Sequence, residues 1–235
     1  MDPWSVTIPS AARQLWRTLA GDPSVLEPGT VELVRGSRGI APPGWTGVLR
    51  LGDAYVIEAG EADANAIATL RSLDDPSDPT EVVRLLEPSD TLGPGELFYL
   101  PDGGEVAALD VAGDVAEVPI EAIEVWLAGL PAEDVAESSV SAMDEVLVLR
   151  RDGALLGAAG HLSWPSAVGH LGVLVAPEAR GTAVGSCLGA LATRRVLDRG
   201  EFPQWRAAAW NGASQAVARR IGYRLMGRQF SFSLG

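Results

Sequence analysis

The 235-residue chain contains no lysine: all 18 basic residues are arginine. Schiff-base chemistry and the lysine-dependent phosphate loop are therefore excluded, because neither has its amine. The single cysteine, Cys187, cannot form an intramolecular disulfide. Two histidines, His161 and His170, are too few for a dedicated zinc site, so no metal is expected. No apolar run reaches the roughly 18–20 residues of a membrane helix. The opening Met1-Asp2-Pro3-Trp4 has neither the basic region nor the apolar block of a signal peptide. These absences point to the cytoplasm and to no membrane partner.

What is present is an ordinary globular composition, 47% hydrophobic and 21% charged, with a net charge of −13. That charge argues against a nucleic-acid partner, since neutralising phosphates demands a basic surface. It is also unevenly divided. Residues 1–140 carry 25 acidic and 7 basic side chains, residues 141–235 carry 6 and 11. Nine arginines lie between Arg180 and Arg228, against Asp198 and Glu201. A basic C-terminal half suits a polyanionic ligand, and acidic surroundings draw a cationic one; a solvated acidic face accounts for the same numbers.

Hydrophobic periodicity and turn residues divide the chain near Pro101-Asp102-Gly103-Gly104. Before it, the pattern predicts a helix over Ser10–Ala20, capped by Ser10 and ended by Gly21, a strand over Val31–Arg35, and a hairpin about Gly52-Asp53. Short helices at Asp63–Leu73 and Thr80–Leu86, a turn-rich Glu87–Gly95 and a short strand Leu97–Leu100 complete this half. After it come a strand at Glu105–Asp110, helices near Ile120–Leu127 and Pro131–Glu137, a hairpin about Asp152-Gly153, and a strand at His170–Val175. A helix over Ala183–Arg199, a strand over Trp205–Trp210, a helix over Ala213–Ile221 closed by Gly222, and a strand over Arg224–Leu234 follow. The domains expected are 1–104 and 105–235.

The most informative stretch is Val173-Leu174-Val175-Ala176-Pro177-Glu178-Ala179-Arg180-Gly181-Thr182-Ala183-Val184-Gly185-Ser186. It reads as an apolar strand, a small-residue loop opened by Arg180, and a helix N-terminus. Such a terminus has unpaired N–H groups and about half a positive charge, which suits a phosphate. This stretch resembles the acyl-CoA pyrophosphate loop of the GNAT acyltransferase superfamily, Arg/Gln-x-x-Gly-x-Gly/Ala, with Ala183 at the first glycine. Asn211-Gly212-Ala213-Ser214 through Ile221-Gly222-Tyr223 resembles the family's later helix tract. The resemblance covers about the last 130 residues.

It implies an α/β (α+β) fold: a mixed, mostly antiparallel sheet with a splayed parallel strand pair, flanked by helices. Residues 1–104 would be an α/β extension or a degenerate repeat. It also implies acetyl-CoA or another acyl-CoA held by Val173, Leu174 and Val175 and by Arg180, Gly181, Thr182, Ala183, Val184, Gly185 and Ser186. Asn211 and Ser214 would bond the pantetheine arm, although both also fit simple helix capping. The implied reaction is acyl transfer to a primary amine, on a small molecule or peptide, by direct attack in a ternary complex. The alternative is a noncatalytic acyl-CoA-binding module; monomer and homodimer both stay open.

For the base that such a reaction needs, the resemblance points to His170, with His161 as the alternative and Asp144 or Glu145 as more distant candidates; each histidine equally fits a structural role. The family's usual tyrosine acid falls at Ala218. Cys187 fits a buried apolar residue or a helix-terminal thiolate, and Trp164 is the aromatic placed to meet an acceptor. A dinucleotide site fits poorly, because the loop is not Gly-x-Gly-x-x-Gly.

Overall fold

The structure, a computed structural model, describes residues 4–35 and 39–235. Met1, Asp2 and Pro3 of the N-terminal reading lie outside the described residues. In chain order the first half holds α1 (Ser10–Ala20), β1 (Val31–Val34), β2 (Thr46–Leu51), β3 (Ala54–Glu58), α2 (Ala64–Ser72), α3 (Pro79–Leu86) and β4 (Asp90–Tyr99). The second holds β5 (Asp114–Pro119), α4 (Glu124–Ala128), α5 (Ala132–Ser138), β6 (Glu145–Arg151), β7 (Ala154–Trp164) and β8 (Val168–Val175). It ends with α6 (Val184–Asp198), β9 (Phe202–Ala208), α7 (Gly212–Ile221) and β10 (Arg224–Ser233). From β5 onward this is the order read from the sequence. Among the described residues no helix is long and apolar enough to cross a membrane.

The chain forms two compact units, one of residues 1–101, 206–212 and 225–235, the other of 102–205 and 213–224. In the first, strands run in the order β1-β3-β2-β10-β4. Every residue of β2 and β3 is buried, and their hairpin turns at Gly52, whose φ of 64° is in the left-handed region. Strand β10 pairs antiparallel with β2 from Gly227↔Leu51 to Phe232↔Thr46. Phe230 and Phe232 thereby join Val48, Ile57 and Leu70 in one core. Helix α1 is docked by the Trp16 indole, which donates to the buried Tyr99 hydroxyl at 2.7 Å.

Three expectations for this half change. Pro9, not Ser10, precedes α1, and no side chain caps it, while Gly21 does close it in the left-handed conformation. Glu87–Gly95 is not all turn: Asp90–Gly95 begins β4. The second-half boundary also differs in kind, because segments 206–212 and 225–235 return to the first unit.

In the second unit the strand order is β9-β8-β7-β6-β5, antiparallel except for the parallel β8–β9 pair. Ile123, Val140, Met143, Val146, Leu155 and Leu174 fill a core on one face. Helix α6 covers the other: a Cβ on Gly157 of β7 would meet Leu188 and Val184 at 3.0 and 3.1 Å. The strand expected over Glu105–Asp110 is absent; this segment is irregular and the strand lies at Asp114–Pro119. Some of its backbone polar groups bond to helices instead, Ala107 N–H to the Ile221 carbonyl and the carbonyls of Val106 and Ala107 to the Arg194 side chain. The strand expected over Trp205–Trp210 is shifted to Phe202–Ala208 by the parallel pairing with β8.

Candidate functional site

Strand β8 has different partners along its two edges. Its antiparallel ladder with β7 is continuous, from Trp164↔Val168 to Gly157↔Val175. Its parallel ladder with β9 includes the pairs from Val168↔Phe202 to Leu171↔Trp205.

A 3-10 turn at Pro177–Ala179 then leads into a loop crowned by Gly181, with φ of 73° and open space where a Cβ would stand. Thr182 organises the turn, donating to the Ala179 carbonyl at 2.6 Å and accepting weakly from Val184 N–H at 3.4 Å. The first full α-helical bond of α6 is Cys187 N–H to the Ala183 carbonyl, 2.9 Å. The N–H groups of Val184, Gly185 and Ser186 precede it, at the positive end of a 15-residue helix.

The position of Gly185 is set by close packing. A Cβ there would lie 3.2 Å from Val175 Cγ2 and 3.7 Å from Val217 Cγ2 of α7. One turn later, a Cβ on Gly189 would lie 3.0 Å from the Trp205 ring. Two glycines four residues apart thus let α6 lie close on β8 and β9, which fixes the helix terminus against the strand end. Val175 points toward α6, whereas Leu174 is buried in the opposite core; Val173 and Val175 are half-buried. Arg180 is exposed and reaches α5, pairing with Asp134 at 2.6 Å.

Register separates the two histidines. His161 stands opposite Leu171 and His170 opposite Leu162, so the two rings point to opposite faces of the sheet. His170 is buried and stacks on Trp164, ring centroids 4.4 Å apart and planes 15° from parallel. Its face also carries Gly172, where a Cβ would meet the Ser138 carbonyl at 2.2 Å, so the end of α5 lies against the strand there. His161 lies on the α6 face, its Nε2 3.3 Å from Glu201 Oε2, while Ser163 donates to Glu201 Oε1 at 2.8 Å. Burial holds the His161 pKa below its ordinary value, against the opposing pull of Glu201. At neutral pH this histidine is uncharged.

The remaining sequence candidates divide. Ser214 accepts from the Trp205 indole at 3.0 Å, so its oxygen anchors β9 to α7. Asn211 belongs to the first unit, its N–H on the Ala208 carbonyl. Cys187 is buried and burial raises its thiol pKa, so it packs as an apolar residue. Ala218 is fully buried. Tyr223 bonds the Thr193 hydroxyl at 3.0 Å, and burial drives its pKa far above the ordinary value. The sequence reading missed Asp134 as the partner of Arg180, since nothing in a lone acidic residue 46 positions away signals it. Gly172 was the more legible omission, because a glycine inside an apolar strand marks a close backbone approach.

No family model and no curated protein sequence matches the chain. Solved structures do. A GCN5-related N-acetyltransferase-like protein from Streptococcus suis superposes with a TM-score of 0.50 at 17% identity, over 81% of this chain and 84% of that one. The chain has the GNAT fold. A GCN5-related N-acetyltransferase from Kribbella flavida gives 0.50 at 17% identity, over 68% of this chain and 65% of that one. For an acetyltransferase from the GNAT family of Colwellia psychrerythraea the values are 0.49 and 15%, over 62% and 57%. The chain thus spans less than two thirds of the length of the Kribbella and Colwellia proteins. Strand β8, the loop after it and α6 all lie in the second unit. Among the described residues no cluster of histidine, cysteine and carboxylates could hold a metal ion.

Proposed function

We propose that the second unit binds acetyl-CoA, or a related acyl-CoA, and transfers the acyl group to a primary amine. The observation that carries this reading is the arrangement around β8. Strand β8, paired parallel with β9 as far as Leu171↔Trp205 and beyond that antiparallel with β7, feeds a small-residue loop into the N-terminus of α6. The C-terminal residues of β8 offer backbone donors and acceptors to the pantetheine amides, those of Val173 and Val175 among them. The N–H groups at the start of α6 face the pyrophosphate, with Gly181, Thr182 and Ala183 admitting it and Arg180 at the rim. Small residues and unpaired N–H donors fit such a ligand, and the net positive C-terminal half favours its charge.

When bound, the acyl-CoA supplies an activated thioester carbonyl. Backbone N–H groups of β8 polarise that carbonyl as the amine nitrogen attacks. His170 takes the ammonium proton, directly or through a water, with its ring held by Trp164. The C–N bond forms as the C–S bond breaks, and the thiolate is protonated by water, because Ala218 and the buried Tyr223 supply no acid.

That missing acid favours a second reading, a noncatalytic acyl-CoA-binding module. Calorimetric titration with acetyl-CoA, followed by detection of free CoA thiol across an amine panel, tests both. Binding with amine-dependent thiol release supports the transferase; binding without release on any amine supports the module; no binding excludes both.

A further inference from the structure

Three of the partly or fully buried arginines of the first unit, Arg17, Arg50 and Arg228, are paired with carboxylates. Arg50 lies between the rings of Trp4 and Tyr55, 4.2 and 5.0 Å from their centroids, and bonds Asp75 at 2.6 Å. Arg228 directs Nε and Nη2 at Glu96 Oε1, 3.1 and 2.8 Å. Arg206 of β9 is different. Its side chain is half-buried, and no carboxylate or hydrogen-bond acceptor among the described residues pairs with its guanidinium.

The strand beside it is shaped for that guanidinium. A Cβ on Gly95 of β4 would lie 2.6 Å from Arg206 Nε and 3.3 Å from both Cζ and Nη2. Gly95 is not among the glycines with a left-handed φ, so no turn geometry requires it. A glycine weakens a strand interior, and here the absence of a side chain makes room for the flat guanidinium. Burial lowers the Arg206 pKa, although the group stays protonated at any physiological pH. Tyr99 is the neighbour that acts in the opposite sense, but burial drives its own pKa far above the ordinary value, so it is neutral there. The local charge is therefore one uncompensated cation presenting a planar fork of N–H donors.

We propose that Arg206, lying on Gly95, binds the carboxylate of a small-molecule ligand in the first unit. One guanidinium balances one carboxylate and meets both of its oxygens at once. A phosphate dianion would bring a second charge, and the neighbouring buried arginines are already committed to Asp75 and Glu96. The proposal stands on the first unit alone and does not depend on the acyl-transfer reading.

The test follows the Arg206 Nε–Hε resonance in the full-length protein by 15N-edited NMR, assigned by its loss in Arg206→Met. Sodium acetate, acetamide, inorganic phosphate and sodium chloride are titrated separately, the salts at matched ionic strength. The proposal expects a saturable shift with acetate, at least tenfold weaker with acetamide and chloride, and at least tenfold weaker with acetate in Gly95→Ala, whose methyl displaces the guanidinium. Because a half-buried charge without a partner costs stability, acetate-free Arg206→Met should melt at or above the wild-type temperature, and acetate should stabilise only the wild type. No acetate-dependent shift, an equal shift with acetamide or chloride, or melting of Arg206→Met several degrees below wild type would overturn it. Tighter binding of phosphate than of acetate would overturn the carboxylate assignment.

Discussion

A Cβ on Gly185 would stand 3.2 Å from Val175 Cγ2, whereas the Arg180 side chain is half in solvent and paired with Asp134. The two loop residues should therefore respond differently. Gly185→Glu forces α6 away from β8 and puts a negative charge beside the pyrophosphate, so acetyl-CoA affinity should fall at least about tenfold, or 1.4 kcal/mol. Arg180→Ala should cost less affinity, and less than about 1 kcal/mol of stability, because an exposed ion pair contributes little. Calorimetry and thermal melting read both. His170→Ala should lower turnover by roughly 10²-fold with acetyl-CoA affinity nearly unchanged, and the acidic limb of the pH–rate profile should go with it. Wild-type turnover in that variant would remove His170 from the chemistry. His161 enters through stability instead. Its folded pKa is depressed, so below the unfolded value of about 6.5 only the unfolded chain takes up its proton. Denaturant midpoints should thus be insensitive to this group above that pH and fall as pH drops through it, with a shallower fall in His161→Gln.

At the scale of elements, the order from β6 to β10 was legible because each has a strong period and a turn residue at its end: Gly153, Gly181, Gly200 and Gly222 all adopt positive φ. The loop and its helix were legible for the same reason. Strand β5 was not, since its four leading residues are exposed and two of them are acidic, which hides the alternation of an edge strand. The start of β4 was obscured by Gly93, Pro94 and Gly95, turn residues by composition that strand pairing overrides. No local pattern could show that His161 and His170 face opposite ways, because that follows from a one-residue offset between strands. Tyr223 also belongs at this scale, as the link from the end of α7 to Thr193 of α6. Tyr223→Phe should destabilise the protein by about 1 kcal/mol, the worth of one buried hydrogen bond, in denaturant unfolding. Thiol release should be unchanged; a large loss of turnover at full stability would make Tyr223 the acid.

Across the whole molecule, residues 1–140 carry the negative charge and residues 141–235 the positive excess. Acetyl-CoA binding should therefore weaken as salt rises, while the apparent KM of a cationic amine should increase, since exposed charges are screened beyond about 8 Å at physiological ionic strength. A salt-insensitive KM would assign the acidic surface to solubility alone. The GNAT fold positions the β8–α6 loop, but whether that loop serves as the acyl-CoA site rests on its own residues. Titration of acetyl-CoA into the wild-type chain and into Gly185→Glu, read by calorimetry with folding of both checked by circular dichroism, tests this most directly. The account predicts saturable binding at one site per chain in the wild type, weakened at least about tenfold in the variant. Equal affinity in the two folded proteins, or no binding to the wild type, would contradict it.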